Sequence, residues 1–383
     1  MQDDLSLSCD RKAIKILFYC SNNVEGGTVQ NAANFIRNAL QDENVDYRFV
    51  VSNSVAKVLR DWRLDSDRIC IINKAFKSLK KTRQVLDFES DFNPDYVYTM
   101  AGPTYIRFKS YHVMGISDPY ITHAKCKVFK KNRSLSQAIS FFIKSVVKGF
   151  ISRYSADHFI FQTESSRAGF VKRYLLSGDS TCVVPNAIGE SFPSQRPLSV
   201  LGGGLPYRVV CPSAYYPHKN LEILFEVASK LSAEGCRKFK FFLTIPEERF
   251  FELQKNWPGS QKCVFNLGPY SYANVEDIYS SSDIVVLPSL LETFSTTYIE
   301  AISMGKPLIV SDESFARDIC GTYPYYFDSL SVQGLCNALL NIDESFKSSK
   351  DREEERLRIL SKYGTQRERY KKLVDVIISR PRS

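Results

Sequence analysis

Along this chain, short runs of β-branched and aromatic residues alternate with longer stretches whose apolar positions recur at helical spacing. In the first half, IKILFYC (14–20), DYRFVV (46–51), RICIIN (68–73), DYVYTM (95–100), HFIFQT (158–163) and TCVVPN (181–186) read as strands. Between them the spacing predicts helices over about 28–41, 78–89, 136–152 and 164–175. The pattern restarts with YRVVCPS (207–213), KFKFFLTI (238–245), CVFNLG (263–268), DIVVLPS (283–289) and PLIVSD (307–312). Helices are predicted beside these at 220–234, 247–255, 274–280, 297–304 and 332–341. Such alternation packs as parallel βαβ units. NAIGESFPSQRPLSVLGGGLP (186–206), rich in Gly, Pro and Ser, separates the two series and reads as a linker rather than a phosphate loop. The expected architecture is therefore α/β, with two tandem Rossmann-like, doubly wound domains at 1–190 and 207–365. The linker is 191–206, and a charged helix within 366–383, with no strand after it, is open to packing back on either domain, the N-terminal one being the first choice.

A length of 383 residues exceeds what one ordinary core accommodates, which agrees with two domains. Hydrophobic residues at 44% and charged residues at 24% are those of a globular protein. MQDDLSLSCD has neither a basic nor an apolar leader region, so no signal peptide is expected. AISFFIKSVVKGFI (138–151) is broken by Lys144 and Lys148 and falls short of the ~20 residues that span a bilayer. Ten cysteines without a CxxC pair read as free thiols, which points to a cytoplasmic protein. Four histidines, His112, His123, His158 and His218, show no zinc-like spacing. Asp65–Asp67 forms a DxD, but it precedes a strand, so these read as solvated acids and no metal is expected.

The charge is uneven. Residues 1–190 carry 27 lysines and arginines against 19 acids, which favours an anionic partner. KCKVFKKNR (125–133) precedes a helix in which Ile139, Phe142, Ile143, Val146, Val147, Phe150 and Ile151 share one face, with Lys144 and Lys148 on another. One reading is a core-facing helix. The other is an interfacial helix on an anionic membrane surface, peripheral on the inner face of the cytoplasmic membrane. No RNA or DNA motif is present, and nucleic acid is not an expected partner.

In ETFSTTYIE (292–300) two carboxylates stand eight positions apart, beyond the carboxyl end of a strand and on the helix that follows. Ligands of open α/β sheets bind at that edge. Ser295, Thr296 and Thr297 offer hydroxyls and free N–H groups at a helix start, an anion site helped by the helix dipole. Lys219 opens a helix in PSAYYPHKNLEIL (212–224), where it can neutralise a diphosphate. Gly26 and Gly27 precede a helix after the first strand, as close approach of backbone to ligand requires. The plainer readings are a first-turn acid, solvated charges and a structural turn.

VVLPSLLETFSTTYIEAISMGKPLIVSD (285–312), followed by FARDICG and YYFD, resembles the donor-binding signature of the retaining GT-B glycosyltransferase family 4. PHKNLE, VVPNAI and the EGG loop match its other landmarks in order. The likeness spans essentially the whole chain and is densest over 207–328. It implies a GT-B fold with the two domains facing a cleft. Glu292 would lie at the transferred sugar and reaction centre, and Glu300 on the ribose. Phe294, Ser295, Thr296 and Thr297 would supply amides, Lys219 would pair with the diphosphate, and Gly26 and Gly27 would close over the donor. The family often has a catalytic-site histidine in the region of YHVMGISDPYITHAK (111–125); His112 is the first choice for it and His123 the second.

The implied enzyme is a metal-independent hexosyltransferase without cofactor. It would move sugar from a nucleotide-sugar donor to a glycan or lipid-linked glycan acceptor in O-antigen- or capsule-like polysaccharide biosynthesis. A nucleotide-sugar epimerase and a non-catalytic donor-binding subunit are the alternatives. Two features depart from the family. Ala214 stands where an arginine is usual, and Thr293 and Ser295 replace glycines.

Overall fold

The computed structural model describes residues 13–189, 198–199, 201, 204–270, 274–342 and 350–381. Most of the expected linker, Gly202 and Gly203 of its triple glycine, Cys9 and the opening decapeptide lie outside these residues.

Two parallel sheets carry the fold. The first is built from β1 (Ile14–Cys20), β2 (Val45–Val51), β3 (Ile69–Ile71), β4 (Tyr96–Gly102), β5 (Tyr111–Ile116), β6 (His158–Phe161) and β7 (Thr181–Val183), in the order β3-β2-β1-β4-β5-β6-β7. The second comprises β8 (Tyr207–Cys211), β9 (Phe239–Leu243), β10 (Val264–Asn266), β11 (Ile284–Leu287), β12 (Leu308–Ser311) and β13 (Tyr325–Phe327), in the order β10-β9-β8-β11-β12-β13. Helices on both faces explain why the central strands read as continuous apolar runs rather than alternating ones. Ile16–Cys20 and Ile284–Leu287 are wholly buried.

The chain divides into two compact units. Unit 1 holds residues up to Ile116, Ile151–Phe159 and residues from Tyr370 on; unit 2 holds Ser117–Phe150 and Ile160–Arg369. In unit 1, Phe18 of β1 stacks on Phe35 of the helix Gly27–Ala39, with ring centroids 4.5 Å apart. Tyr370 closes this cluster, its ring 5.2 Å from Phe35 and its hydroxyl 3.0 Å from that of Tyr47.

The core of unit 2 is formed where Val209–Cys211, Ile284–Leu287 and Leu308–Val310 meet the helices Glu222–Ala233 and Thr296–Ser303. The helix Lys350–Tyr363, too charged to have been predicted, places a buried guanidinium against the end of Thr296–Ser303. Arg356 donates to the Ile302 and Ser303 carbonyls at 2.9 and 2.8 Å, capping orphan acceptors where the helix dipole is negative.

The helix Leu135–Ser155 does not turn its apolar face inward. Ile139, Phe142, Ile143, Val147, Phe150 and Ile151 are exposed, while Ala138, Ser145, Gly149, Ser152 and Ser155 are buried. Small residues let this helix lie close to its neighbours, and a Cβ at Gly149 would collide with the Tyr174 hydroxyl. The core-facing reading of the apolar seam is thereby corrected. The preceding cations are largely tied down within unit 2. Lys125 and Lys127 pair with Glu313, Lys131 donates to Asn220 Oδ1 at 2.7 Å, and the Arg133 guanidinium sits 4.3 Å from the Phe141 ring.

Candidate functional site

In the second sheet, β8 lies between β9 and β11, so the strand order reverses there. The loops leaving the carboxyl ends of β8 and β11 therefore diverge and leave a crevice, the place where open α/β sheets take ligands. Lys219 is in the first of these loops and Glu292 in the second. Leu290 N donates to the His218 carbonyl at 2.7 Å and holds the two loops together. Lys219 Nζ then forms an ion pair with Glu292 Oε1, both side chains being largely buried. A tight turn at Pro217–Lys219 aims the lysine, and Asn220 after it adopts a left-handed φ of 56°. Asn220 is anchored by its Nδ2 on the Ser329 carbonyl at 2.9 Å.

Glu300 is the fifth residue of the helix Thr296–Ser303, past its first turn, and is only 3% exposed. It is therefore not a solvated first-turn acid. Its Oε2 accepts from the Tyr279 hydroxyl at 2.9 Å. Burial raises its pKa above the ordinary glutamate value, opposed by hydrogen bonds from Thr296 and Tyr279 and by the charge of Lys219. Ser295, at the N-cap, does not cap the helix with its side chain; its Oγ lies 2.8 Å from Thr297 Oγ1. No acid occupies the first turn. The N–H dipoles of this turn thus remain available to an anion at the mouth of the crevice.

The segment between the glutamates is fastened at three points. Thr293 Oγ1 donates to the Ser117 carbonyl at 3.2 Å, and the Thr293 carbonyl accepts from Thr163 Oγ1 at 3.0 Å. Phe294 sets its ring edge-on against Tyr363 at 5.3 Å. Thr293 thus uses its hydroxyl for anchoring where the resemblance has a glycine.

The structure adds Tyr120 and His218 to the surroundings of the Lys219–Glu292 pair. Tyr120 places its hydroxyl 3.4 Å from His218 Nδ1, with the rings edge-to-face at 5.7 Å. Burial lowers the His218 pKa; the Glu292 carboxylate opposes this, and Lys219 and Arg133 add to it. His218 was in view within PHKNLE, but its neighbour lies 98 positions away and left no local signal.

Glu292, Phe294, Ser295, Thr296, Thr297, Glu300 and Lys219 are thus gathered at one sheet edge of unit 2. The remaining candidates lie elsewhere. Gly26 and Gly27 follow β1 in unit 1, exposed, with Gly26 at φ 65° and open space where either Cβ would point. No packing contact excludes a side chain there, so the positive φ is what calls for glycine at 26.

No strand was expected over 111–116, where His112 is placed. It lies inside β5, 1% exposed, with Nε2 2.8 Å from Thr99 Oγ1 and Nδ1 2.7 Å from the Ser155 carbonyl. Both ring nitrogens are engaged, and burial pushes its pKa down to about 4. That is the setting of a neutral structural histidine. His123 is half-buried in unit 2, its Nδ1 2.7 Å from Thr122 Oγ1, and its pKa is likewise pushed down to about 4 by loss of solvent. Asp65 and Asp67 are exposed in the turn before β3. Among the described residues, no three His, Cys, Asp or Glu side chains are grouped to hold a metal ion.

Residues 206–344 match the family model for glycosyl transferases group 1. A Schizosaccharomyces pombe phosphatidylinositol N-acetylglucosaminyltransferase gpi3 subunit is 24% identical over 231 residues, covering 58% of this chain and 49% of that protein. The chain thus spans about half the length of the curated relative it matches. Among solved structures, HepE of Anabaena in complex with UDP-glucose superposes with a TM-score of 0.70 at 14% identity, covering 96% of this chain and all of that one. Sucrose-phosphate synthase of Thermosynechococcus elongatus superposes with a TM-score of 0.71 at 12% identity, covering 95% and 98%. At such identities these likenesses establish the fold, which is GT-B.

Proposed function

We propose that this chain is a retaining glycosyltransferase, because residues 206–344 match the family model for glycosyl transferases group 1 and the chain has the GT-B fold. In this reading it moves a sugar from a nucleoside-diphosphate sugar to a glycan or lipid-linked glycan. The observation that carries the reading is the meeting of Lys219, Glu292, Glu300 and the uncapped start of Thr296–Ser303 at one switch point.

Each part has a task set by its chemistry. Glu300, buried and steadied by Tyr279, accepts hydrogen bonds from the ribose hydroxyls. The first-turn N–H groups at Thr296 and Thr297 take the diphosphate, and Lys219 exchanges part of its pairing with Glu292 for the phosphate oxygens. Glu292, once shared with the sugar, orients the transferred residue. The acceptor hydroxyl attacks the anomeric carbon from the leaving-group face as the bond to the diphosphate oxygen breaks. Its proton passes to that oxygen. Fixed N–H dipoles and one cation stabilise the charge developing on the leaving group, so the reaction is assigned no metal and no cofactor. With both nitrogens of His112 occupied, the proposal gives it no proton-transfer role.

HepE was crystallised with UDP-glucose and the fission-yeast relative is a subunit of an N-acetylglucosaminyltransferase, which supports a UDP-sugar as the first donor to try. A thermal-shift panel of UDP-, GDP- and dTDP-sugars tests donor binding, since a ligand of the native state raises its apparent stability. Mass analysis of products with and without acceptor then separates transfer from epimerisation and from binding alone.

A further inference from the structure

The helix Leu135–Ser155 is amphipathic with the wrong side out for a chain surrounded by water. Eight large apolar or aromatic side chains between Leu135 and Tyr154 are more than a third exposed, among them Ile143 at 54% and Val147 at 52%. At 100° per residue they occupy about half the helix circumference, a continuous stripe of the kind that marks an interaction surface.

Charge decides what covers it. From Pro119 to Ala156 the sequence has eight lysines and arginines and no acid. Some of these cations are spent internally, Lys148 on Asp118 at 2.6 Å and Lys125 and Lys127 on Glu313. Lys130 and Lys144 are exposed, Lys144 at the margin of the stripe, and Arg153 lies 4.8 Å over the Tyr154 ring. Beside the stripe runs a shallow groove of about 580 Å³ lined by Arg133, Ser136, Gln137, Ser140, Phe141 and Lys144. With the Arg133 guanidinium turned to the Val128 and Phe129 carbonyls, it offers Lys144 and three hydroxyl or amide side chains to a phosphate headgroup. A second copy of the chain fits this face poorly, because a two-fold contact would set its cations against themselves. No helix among the described residues is long and apolar enough to cross a membrane.

We infer that the helix Leu135–Ser155 lies flat on an anionic bilayer, its apolar stripe among the acyl chains and Lys144 at the headgroup phosphates. Long basic side chains at the edge of an apolar face snorkel to the polar layer in this way. The inference stands apart from the donor site and would survive its failure.

The test is co-sedimentation of the full chain with phosphatidylcholine vesicles and with vesicles of phosphatidylcholine and phosphatidylglycerol. Binding is expected to the anionic vesicles, weakened by salt as the headgroup attraction is screened. The I143E/V147E double variant, altered only at exposed positions, is expected to bind about tenfold more weakly or worse while keeping its unfolding temperature and its donor thermal shift. K144E is expected to weaken binding to the anionic vesicles and reduce its salt dependence. Absence of wild-type binding at low salt overturns the inference, as does undiminished binding by I143E/V147E. A lipid-free dimer that I143E/V147E dissociates assigns the face to a second copy and equally overturns it.

Discussion

Lys219 and Glu292 form an ion pair that joins the loops after β8 and β11. The proposed function gives this lysine the diphosphate, with the glutamate as its partner in the free protein. Lys219→Ala is expected to reduce kcat/KM on the order of 10²-fold, the scale on which one preorganised charge-stabilising group acts. Steady-state kinetics with the donor identified by thermal shift measure this. Lys219→Arg, which retains the charge, is expected to recover part of the loss.

Glu300, to which the proposed function gives the ribose, is buried at a cost to stability. Its folded-state pKa is raised by burial, so between the ordinary carboxylate range and that raised value the native state binds more protons than the unfolded one. Stability therefore falls as pH rises through this window. Glu300→Gln is expected to unfold at a higher temperature than wild type at neutral pH, with the advantage shrinking as pH falls through this window and gone below the ordinary glutamate value of 4.5. Donor affinity is expected to fall in the same variant. Thermal melts across pH, with and without nucleotide-sugar, read both effects.

Three histidines shielded from solvent contribute on the acid side. His112, His123 and His158 each have a pKa pushed down to about 4, burial being the main cause. Between the ordinary histidine value of 6.5 and about 4 the unfolded chain takes up protons that the native state refuses. Stability is thus expected to be full above this window and to decline as pH falls through it. His112→Asn is expected to lower stability by about 1–3 kcal/mol, through partners left unsatisfied. It is also expected to flatten the decline. Denaturant melts at stepped pH check both.

Metal independence has its own assay. Transfer is expected to continue at full rate with excess chelator, since Lys219 and the N–H groups of Thr296–Ser303 are assigned the leaving-group charge. A loss that added divalent cation restores would contradict that assignment.

The strands were the most legible part of the sequence. Where an apolar run is buried on both faces, as in Ile14–Cys20, its bounds can be read directly because no polar position interrupts it. β5 was not read as a strand; YHVMGI contains Gly115, whose missing Cβ lets the Met100 carbonyl approach, and that need is set by the neighbouring strand. The helix Leu135–Ser155 shows a further limit: periodicity reveals an apolar stripe but is silent on whether protein or another apolar medium covers it. In the site, Glu292, Glu300 and Lys219 were legible because each follows a strand end or a helix start. Tyr279, Tyr120 and Ser117 reach the same place through the topology of the sheet, with no motif to announce them.

The central claim is that Glu300 and Lys219 hold a nucleoside-diphosphate sugar. Its most direct test is calorimetric titration of wild type and Glu300→Gln with the nucleotide-sugar that gives the largest thermal shift, UDP-sugars first. The account predicts saturable one-site binding to wild type and a loss of about tenfold or more in Glu300→Gln, as expected when hydrogen bonds to a charged acceptor are removed. Equal affinity of the two proteins, or no binding of any nucleotide-sugar to wild type, would contradict it.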